Sequence, residues 1–143
     1  MKPTSRLFAG LLCALSLIGG HCEADPIKLN TAAFDYAEQL IDSGYWVNDG
    51  KGSWTRHQPS IAQKNEFIRE NGFAKYAKWH LGIDERHALD SKARYKFPFG
   101  DFEQLHRSAL LAIKGRAREY GYSEIEQAAA QLIERINSRN PSQ

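Results

Sequence analysis

Cysteine is scarce in this chain, with two residues in 143, and both fall close to its start. Cys13 lies inside an apolar run and Cys22 follows it, so no thiol remains from Asp25 onward. That excludes a disulfide-stapled scaffold and a cysteine nucleophile in the rest of the chain. A stretch of about 119 residues can bury enough apolar surface to fold without disulfides, so we expect one domain with an ordinary hydrophobic core.

Long apolar runs are also absent after residue 24, as are internal repeats and low-complexity tracts. A helix needs about 20 apolar residues to cross a bilayer, so we expect no membrane span beyond that point. No G-x-S-x-G motif accompanies the histidines and serines, so the sequence assigns no catalytic residue. It likewise assigns no cofactor and no metal ligand.

Residues 1–24 have the pattern of an export signal. Two basic residues precede the uncharged apolar run 7–20, and Cys22-Glu23-Ala24 places small residues at the −3 and −1 positions of a cleavage site. The run is too short to span a hydrocarbon core of roughly 30 Å as a stable helix. We therefore expect this segment to be removed as a signal peptide, and residues 25–143 to form a single periplasmic or secreted domain.

A lipoprotein is the alternative, in which Cys22 becomes the acylated first residue of the exported protein. That processing requires a small residue directly before the cysteine, and His21 occupies the position. The cleaved signal peptide is therefore the favoured interpretation.

Helical periodicity covers most of the exported part and predicts an all-α domain of four to five helices. Asn30 or Thr31 can cap the first helix, and Ser60 with Gln63 forms a capping box for the second. A hairpin-like insertion is expected where aromatic and β-branched residues flank the turn-rich cluster 48–52. Residues 83–101 are expected to form a long connection packed on the domain. The predicted helices are 30–42, 60–71, 73–81, 101–120 and 123–136.

Four large apolar side chains fall on the inward side of these patterns and should be buried. They are Trp79, Phe102, Leu105 and Leu132.

A family resemblance is carried by the run KARYKFPFGDF at residues 92–102. Shorter matches at 66–69, 76–84 and 106–107 accompany it. Together they resemble a family of small uncharacterised proteins, mostly bacterial, over most of the chain from Phe34 onward. The family is a domain of unknown function, so the resemblance implies no activity, cofactor or partner.

Charge is segregated along the chain, although the formal net charge is only +2. Residues 86–118 hold eight basic residues against three acidic ones, a local balance of +5. The flanking parts, 25–85 and 119–143, each carry −2. A basic band on a nearly neutral domain attracts an anionic ligand or an acidic protein.

The predicted function is therefore a non-catalytic binding module with a basic and aromatic surface. In an extended segment, alternate cations of the band would share one face and the neighbouring rings would share the other. Nucleic acid is not expected as the partner, because export separates the protein from most of it. The predicted binding residues are Lys92, Arg94, Lys96, Arg107 and Lys114.

Two other interpretations stay open. One is a metal-dependent protein or a hydrolase-like enzyme that uses His80, His87 and His106, although the spacing of the first two matches no strong zinc pattern. The other is a structural protein that binds one partner through apolar surface. Binding that weakens as salt rises would favour the module with a basic surface over the protein that binds through apolar surface.

The signal-peptide interpretation predicts that the protein purified from the cell envelope or medium begins at Asp25. Its intact mass tests this. A species that retains the apolar run 7–20, or one that starts at an acylated Cys22, would contradict the prediction.

Overall fold

The structure, a computed structural model, describes residues 25–140; the predicted signal peptide lies outside them, with Cys13 and Cys22. Those described residues form six α-helices and five short strands in two sheets, so the expected all-α fold is wrong and the fold is mixed. The strands are β1 (Ile27–Leu29), β2 (Trp46–Val47), β3 (His80–Asp84), β4 (Tyr95–Pro98) and β5 (Leu105–His106). The helices are α1 (Thr31–Asp42), α2 (Trp54–His57), α3 (Ile61–Asn71), α4 (Phe73–Ala77), α5 (Arg107–Tyr120) and α6 (Ser123–Arg139).

The first sheet is antiparallel, with β3 between β1 and β4. The buried side chain of Asn30 determines where α4 stops, because its amide donates to the carbonyls of Ala77 and His80 at 3.0 Å each. The backbone N–H of Asn30 also donates to the carbonyl of Leu81 at 2.8 Å. These bonds tie β3 to the start of α1, so the predicted helix 73–81 ends early and a strand replaces its last turn. The predicted long connection supplies the end of β3 and all of β4.

The second sheet consists of β2 and β5, which pair in parallel with Trp46 opposite Leu105 and Val47 opposite His106. The predicted hairpin is therefore wrong. The strand partner of β2 comes from a distant part of the chain, and Trp54 begins the short helix α2 where a second hairpin strand was expected.

The helix expected over 101–120 begins one turn and a strand later, at Arg107. The Asp101 carboxylate accepts the backbone N–H groups of Glu103 and Gln104 at 2.9 and 2.7 Å. It therefore closes a turn before β5 and does not cap α5.

The local capping signals at the starts of α1 and α3 are confirmed. Asn30 caps α1, and Ser60 and Gln63 form the reciprocal capping box of α3 with bonds of 2.8 and 3.2 Å. The apolar stripe of α6 from Ile125 to Ile136 is buried. By contrast, α3 contains no fully buried residue, so it lies on the outside of the fold.

The hydrophobic core lies where α1, α5 and α6 pack together and against β3. Trp79, Leu105 and Leu132 are buried in it as expected, whereas Phe102 is only partly buried. Trp79 lies in the turn before β3 and Leu105 lies in β5, so helical register does not explain their burial. Gly100 lies so close to Trp79 that a Cβ at this position would overlap the indole ring.

Substitution of Gly100 by alanine should lower the free energy of unfolding by about 1–3 kcal/mol, because the added methyl group overpacks a buried ring. Gly115 provides a matched control inside α5, since a Cβ there meets no atom within 4 Å. Its replacement by alanine should stabilise the protein by about 0.5–1 kcal/mol through helix propensity. Urea unfolding of both variants checks the pair, and equal effects would contradict the close approach at Gly100.

Candidate functional site

The first two predicted binding residues, Lys92 and Arg94, lie in a single turn of 3-10 helix, Lys92–Arg94. The extended alternation expected there is therefore absent. The Nζ of Lys92 donates to Oδ1 of Asn65 at 2.6 Å, and Nη1 of Arg94 donates to the carbonyl of His87 at 2.8 Å. Lys92 thus bonds to helix α3 and Arg94 to the loop after β3, and Arg94 is partly buried.

Lys96 lies in β4, opposite Gly82 in the register. Phe97 has a positive φ of 61°, which a residue with a side chain rarely adopts. A Cβ built on Gly82 would lie 2.8 Å from Cδ2 of Phe97 and 3.4 Å from Cβ of Lys96. The Phe97 ring and the start of the Lys96 side chain therefore approach the same face, and the expected separation of rings from cations does not hold in β4.

Arg107 and Lys114 lie in α5 together with a third cation, Arg118. Their spacing of seven and four residues places all three on one side of the helix, within about 40° of one another. We call Arg107, Lys114 and Arg118 the basic stripe. Among residues 25–140, neither the basic stripe nor Lys96 forms a salt bridge. Because β4 packs against α5, Lys96 lies on a strand next to the helix that carries the basic stripe.

The three histidines of the enzyme interpretation lie in separate surroundings. His80 is buried, and its Nδ1 donates to the carbonyl of Tyr76 at 2.8 Å. Burial lowers the pKa of His80 to about 4, so the ring is neutral. His87 is exposed and lies 3.7 Å from the buried carboxylate of Asp84, which Arg86 already engages with two bonds of 2.9 and 2.8 Å.

His106 stands between two carboxylates that the sequence did not connect with it. Its Nδ1 lies 2.9 Å from Oδ2 of Asp49, and its Nε2 lies 3.0 Å from Oδ2 of Asp101. The hydroxyl and backbone N–H of Ser108 donate to Asp49 at 2.7 and 2.8 Å. We call Asp49, Asp101, His106 and Ser108 the His106 cluster.

The His106 imidazole is positively charged in this arrangement, because carboxylates only accept hydrogen bonds and both ring nitrogens must donate. Burial opposes that charge, but the bonds to Asp101 and Asp49 outweigh it and raise the pKa of His106 above its ordinary value. Burial likewise acts to raise the pKa of Asp49, yet the bonds from His106 and Ser108 lower it overall. The pKa of Asp101 is lowered in the same way, by its turn N–H groups and His106.

This geometry leaves the His106 cluster without a free base or nucleophile. Neither ring nitrogen is available to take a proton, and the Ser108 hydroxyl donates only to Asp49, a weak base whose carboxylate is already bonded to His106 and whose pKa is lowered. The two ring nitrogens face opposite directions, so the two carboxylates cannot join the ring around one metal ion. In the part of the chain that the structure describes, no three His, Cys, Asp or Glu side chains are grouped to hold a metal.

The exposed His57 ring stacks on His106, with centroids 4.9 Å apart and planes at 23°. A polar cavity of about 330 Å³ opens beside this pair, with Arg56, Asp101 and Glu103 in its wall. No sequence signal connects these residues, because Asp49 falls in the expected hairpin turn 48–52 and Asp101 begins the expected helix 101–120.

Comparison of the chain with protein-family models, with curated proteins and with solved structures finds no match. The resemblance carried by residues 92–102 therefore stays a prediction. Within residues 25–140, no helix is both long and apolar enough to cross a membrane.

Replacement of His106 by glutamine should lower the free energy of unfolding by about 2–4 kcal/mol near pH 6, because two carboxylates lose their charged partner. The folded pKa of His106 lies above 6.5, so its contribution is complete below pH 6.5 and disappears as the pH rises through that folded pKa. The contribution of the Asp49 and Asp101 carboxylates to stability has the opposite pH dependence. Their pKa values lie below 3.8, so their contribution disappears as the pH falls through those values.

The difference between wild type and the His106 variant should therefore be largest at about pH 4–6.5 and shrink in alkaline solution. Urea unfolding across this range measures it. His57→Gln is the matched control and should cost no more than about 1 kcal/mol, the scale of a stacked pair. A pH-independent difference would contradict a charged His106.

Proposed function

We propose that this protein is a non-catalytic binding module, acting after export, that holds an acidic partner against the basic stripe of α5 and the neighbouring Lys96. The observation that supports the proposal most is the set of cations on one side of α5 that form no salt bridge within residues 25–140. Charges used for folding in this protein have partners, as Arg135 has with Asp42 and Glu38. The three cations of the basic stripe and Lys96 have no such partners within residues 25–140.

The basic stripe spans 12 residues of α5, from Arg107 to Arg118, so its two ends are 11 residue steps apart. At about 1.5 Å per residue this is about 16 Å, the length of about five residues of extended chain. The buried residues of α5, among them Leu110 and Ile113, lie on another side of the helix. An extended acidic segment could therefore contact the whole stripe without any change in the core.

An enzymatic role has less support, because His80 is neutral and buried, His87 is exposed elsewhere, and His106 has both nitrogens engaged. Lys92 and Arg94 bond to α3 and to the loop at His87, so the proposed surface leaves out these two predicted residues.

A variant with glutamine at Lys96, Arg107, Lys114 and Arg118 should bind heparin, as a generic polyanion, at least about tenfold more weakly at low salt. Wild-type binding should also fall steeply as salt rises, because screening shortens the Debye length from about 30 Å at 0.01 M to about 8 Å at 0.15 M. Lys114 and Arg118 are exposed and Lys96 and Arg107 are partly buried, but none of the four forms a salt bridge within residues 25–140, so stability should change little.

The control carries the same charge change at four other positions, with glutamine at Lys51, Arg56, Lys64 and Arg69. It should retain most of the wild-type affinity. Equal losses in the two variants would show that heparin responds only to net charge, and equal affinity of wild type and the first variant would refute the proposed surface.

A further inference from the structure

A second cavity, separate from the basic stripe, opens between α1, α3, α4 and the turn after Gly100. Its volume is about 280 Å³, and aromatic rings form most of its wall. Two lysines, Lys75 and Lys78, also line it, and no acidic side chain does. The aromatic residues are Tyr36, Phe67, Trp79 and Phe102.

These rings hold one another in place. Phe67 and Phe102 stack with centroids 4.1 Å apart and planes at 11°. Trp79 meets Phe102 and Tyr36 edge to face, at 6.0 and 5.3 Å. The cavity therefore has flat, rigid walls, and such walls fit a planar ring better than a flexible chain.

Phe102 reaches this position with a positive φ of 73°. The Asp101 carboxylate imposes the turn by accepting the two N–H groups that follow Phe102. A non-glycine residue in this conformation is strained, and such strain is often found where a site is built. Here it places an aromatic ring, only partly buried, in the cavity wall.

The two lysines of the cavity are exposed, and within residues 25–140 neither Lys75 nor Lys78 forms a salt bridge. Nζ of Lys78 lies 5.9 Å from the centroid of the Tyr36 ring, at the wall of the cavity. A ligand with a negatively charged acceptor group would supply what these donors lack.

We propose that this cavity binds a small planar aromatic carboxylate, with its ring against Phe67, Phe102 and Trp79 and its carboxylate towards Lys78 and Lys75. The volume suits one or two fused rings, at the lower end of the range for ligand sites. The site is distinct from the basic stripe and does not depend on it.

Equilibrium dialysis of the full exported protein against 2-naphthoate, quantified by the probe's own absorbance, tests the site. We expect saturable binding of one probe per chain below about 1 mM. The neutral 2-naphthamide should bind about twofold to fivefold more weakly, the effect of one exposed ionic contact. Cyclohexanecarboxylate, which is charged but not planar, should bind about tenfold more weakly.

Two variants locate the site. Phe67→Leu should weaken 2-naphthoate binding by about tenfold, and it leaves the fold intact because α3 contains no fully buried residue. Lys78→Gln should weaken it by about twofold to fivefold and abolish the preference for naphthoate over naphthamide. Lys114→Gln, a charge-matched change in the basic stripe, should have no effect.

Far-UV circular dichroism and unfolding midpoints confirm that each variant is folded. Absence of retained probe at about 1 mM would refute the proposal. So would equal binding by wild type, Phe67→Leu and Lys78→Gln, since the probe would then bind elsewhere.

Discussion

The charged His106 ring between two carboxylates is the constraint on which the proposed binding surface depends. It joins the loop at Asp49, the turn at Asp101 and the start of α5, three parts that no continuous strand or helix connects. A buried charge without partners costs several kcal/mol, so loss of any member leaves the others in an unfavourable state. Because both ring nitrogens are engaged, the same residue cannot serve as a free base without giving up this role.

Helix ends were predictable where the interactions that define them are local. The Asn30 cap and the Ser60 capping box involve residues three apart, and the α6 stripe repeats within single turns. Strands of two to five residues show too little alternation to stand out. Their partners are also remote, as with Trp46 opposite Leu105 in the second sheet. The all-α expectation failed because the sequence signals near these strands are short-range and the pairing is not.

The candidate sites likewise contain residues that the sequence could place and residues that it could not. Helical spacing alone places Arg107 and Lys114 on one side of a helix, so this part of the basic surface could be predicted. Lys92 and Arg94 could not be assigned correctly, because a 3-10 turn replaces the expected extended segment. The aromatic cavity takes its walls from four separate parts of the chain. The sequence predicted Trp79 and Phe102 as core residues, which is accurate for Trp79 and only partly so for Phe102.

Burial and pairing together separate the charges that hold this fold from those available to a partner. The buried ionic groups Asp84 and His106 each have close counter-charges, whereas the basic stripe has none in residues 25–140. The paired buried groups and the basic stripe are adjacent at the first turn of α5, where Arg107 lies between His106 and Ser108. Both neighbours are bonded to Asp49, so the rotational setting of the helix is fixed at its start. The His106 cluster thus determines the direction in which the basic stripe of α5 faces.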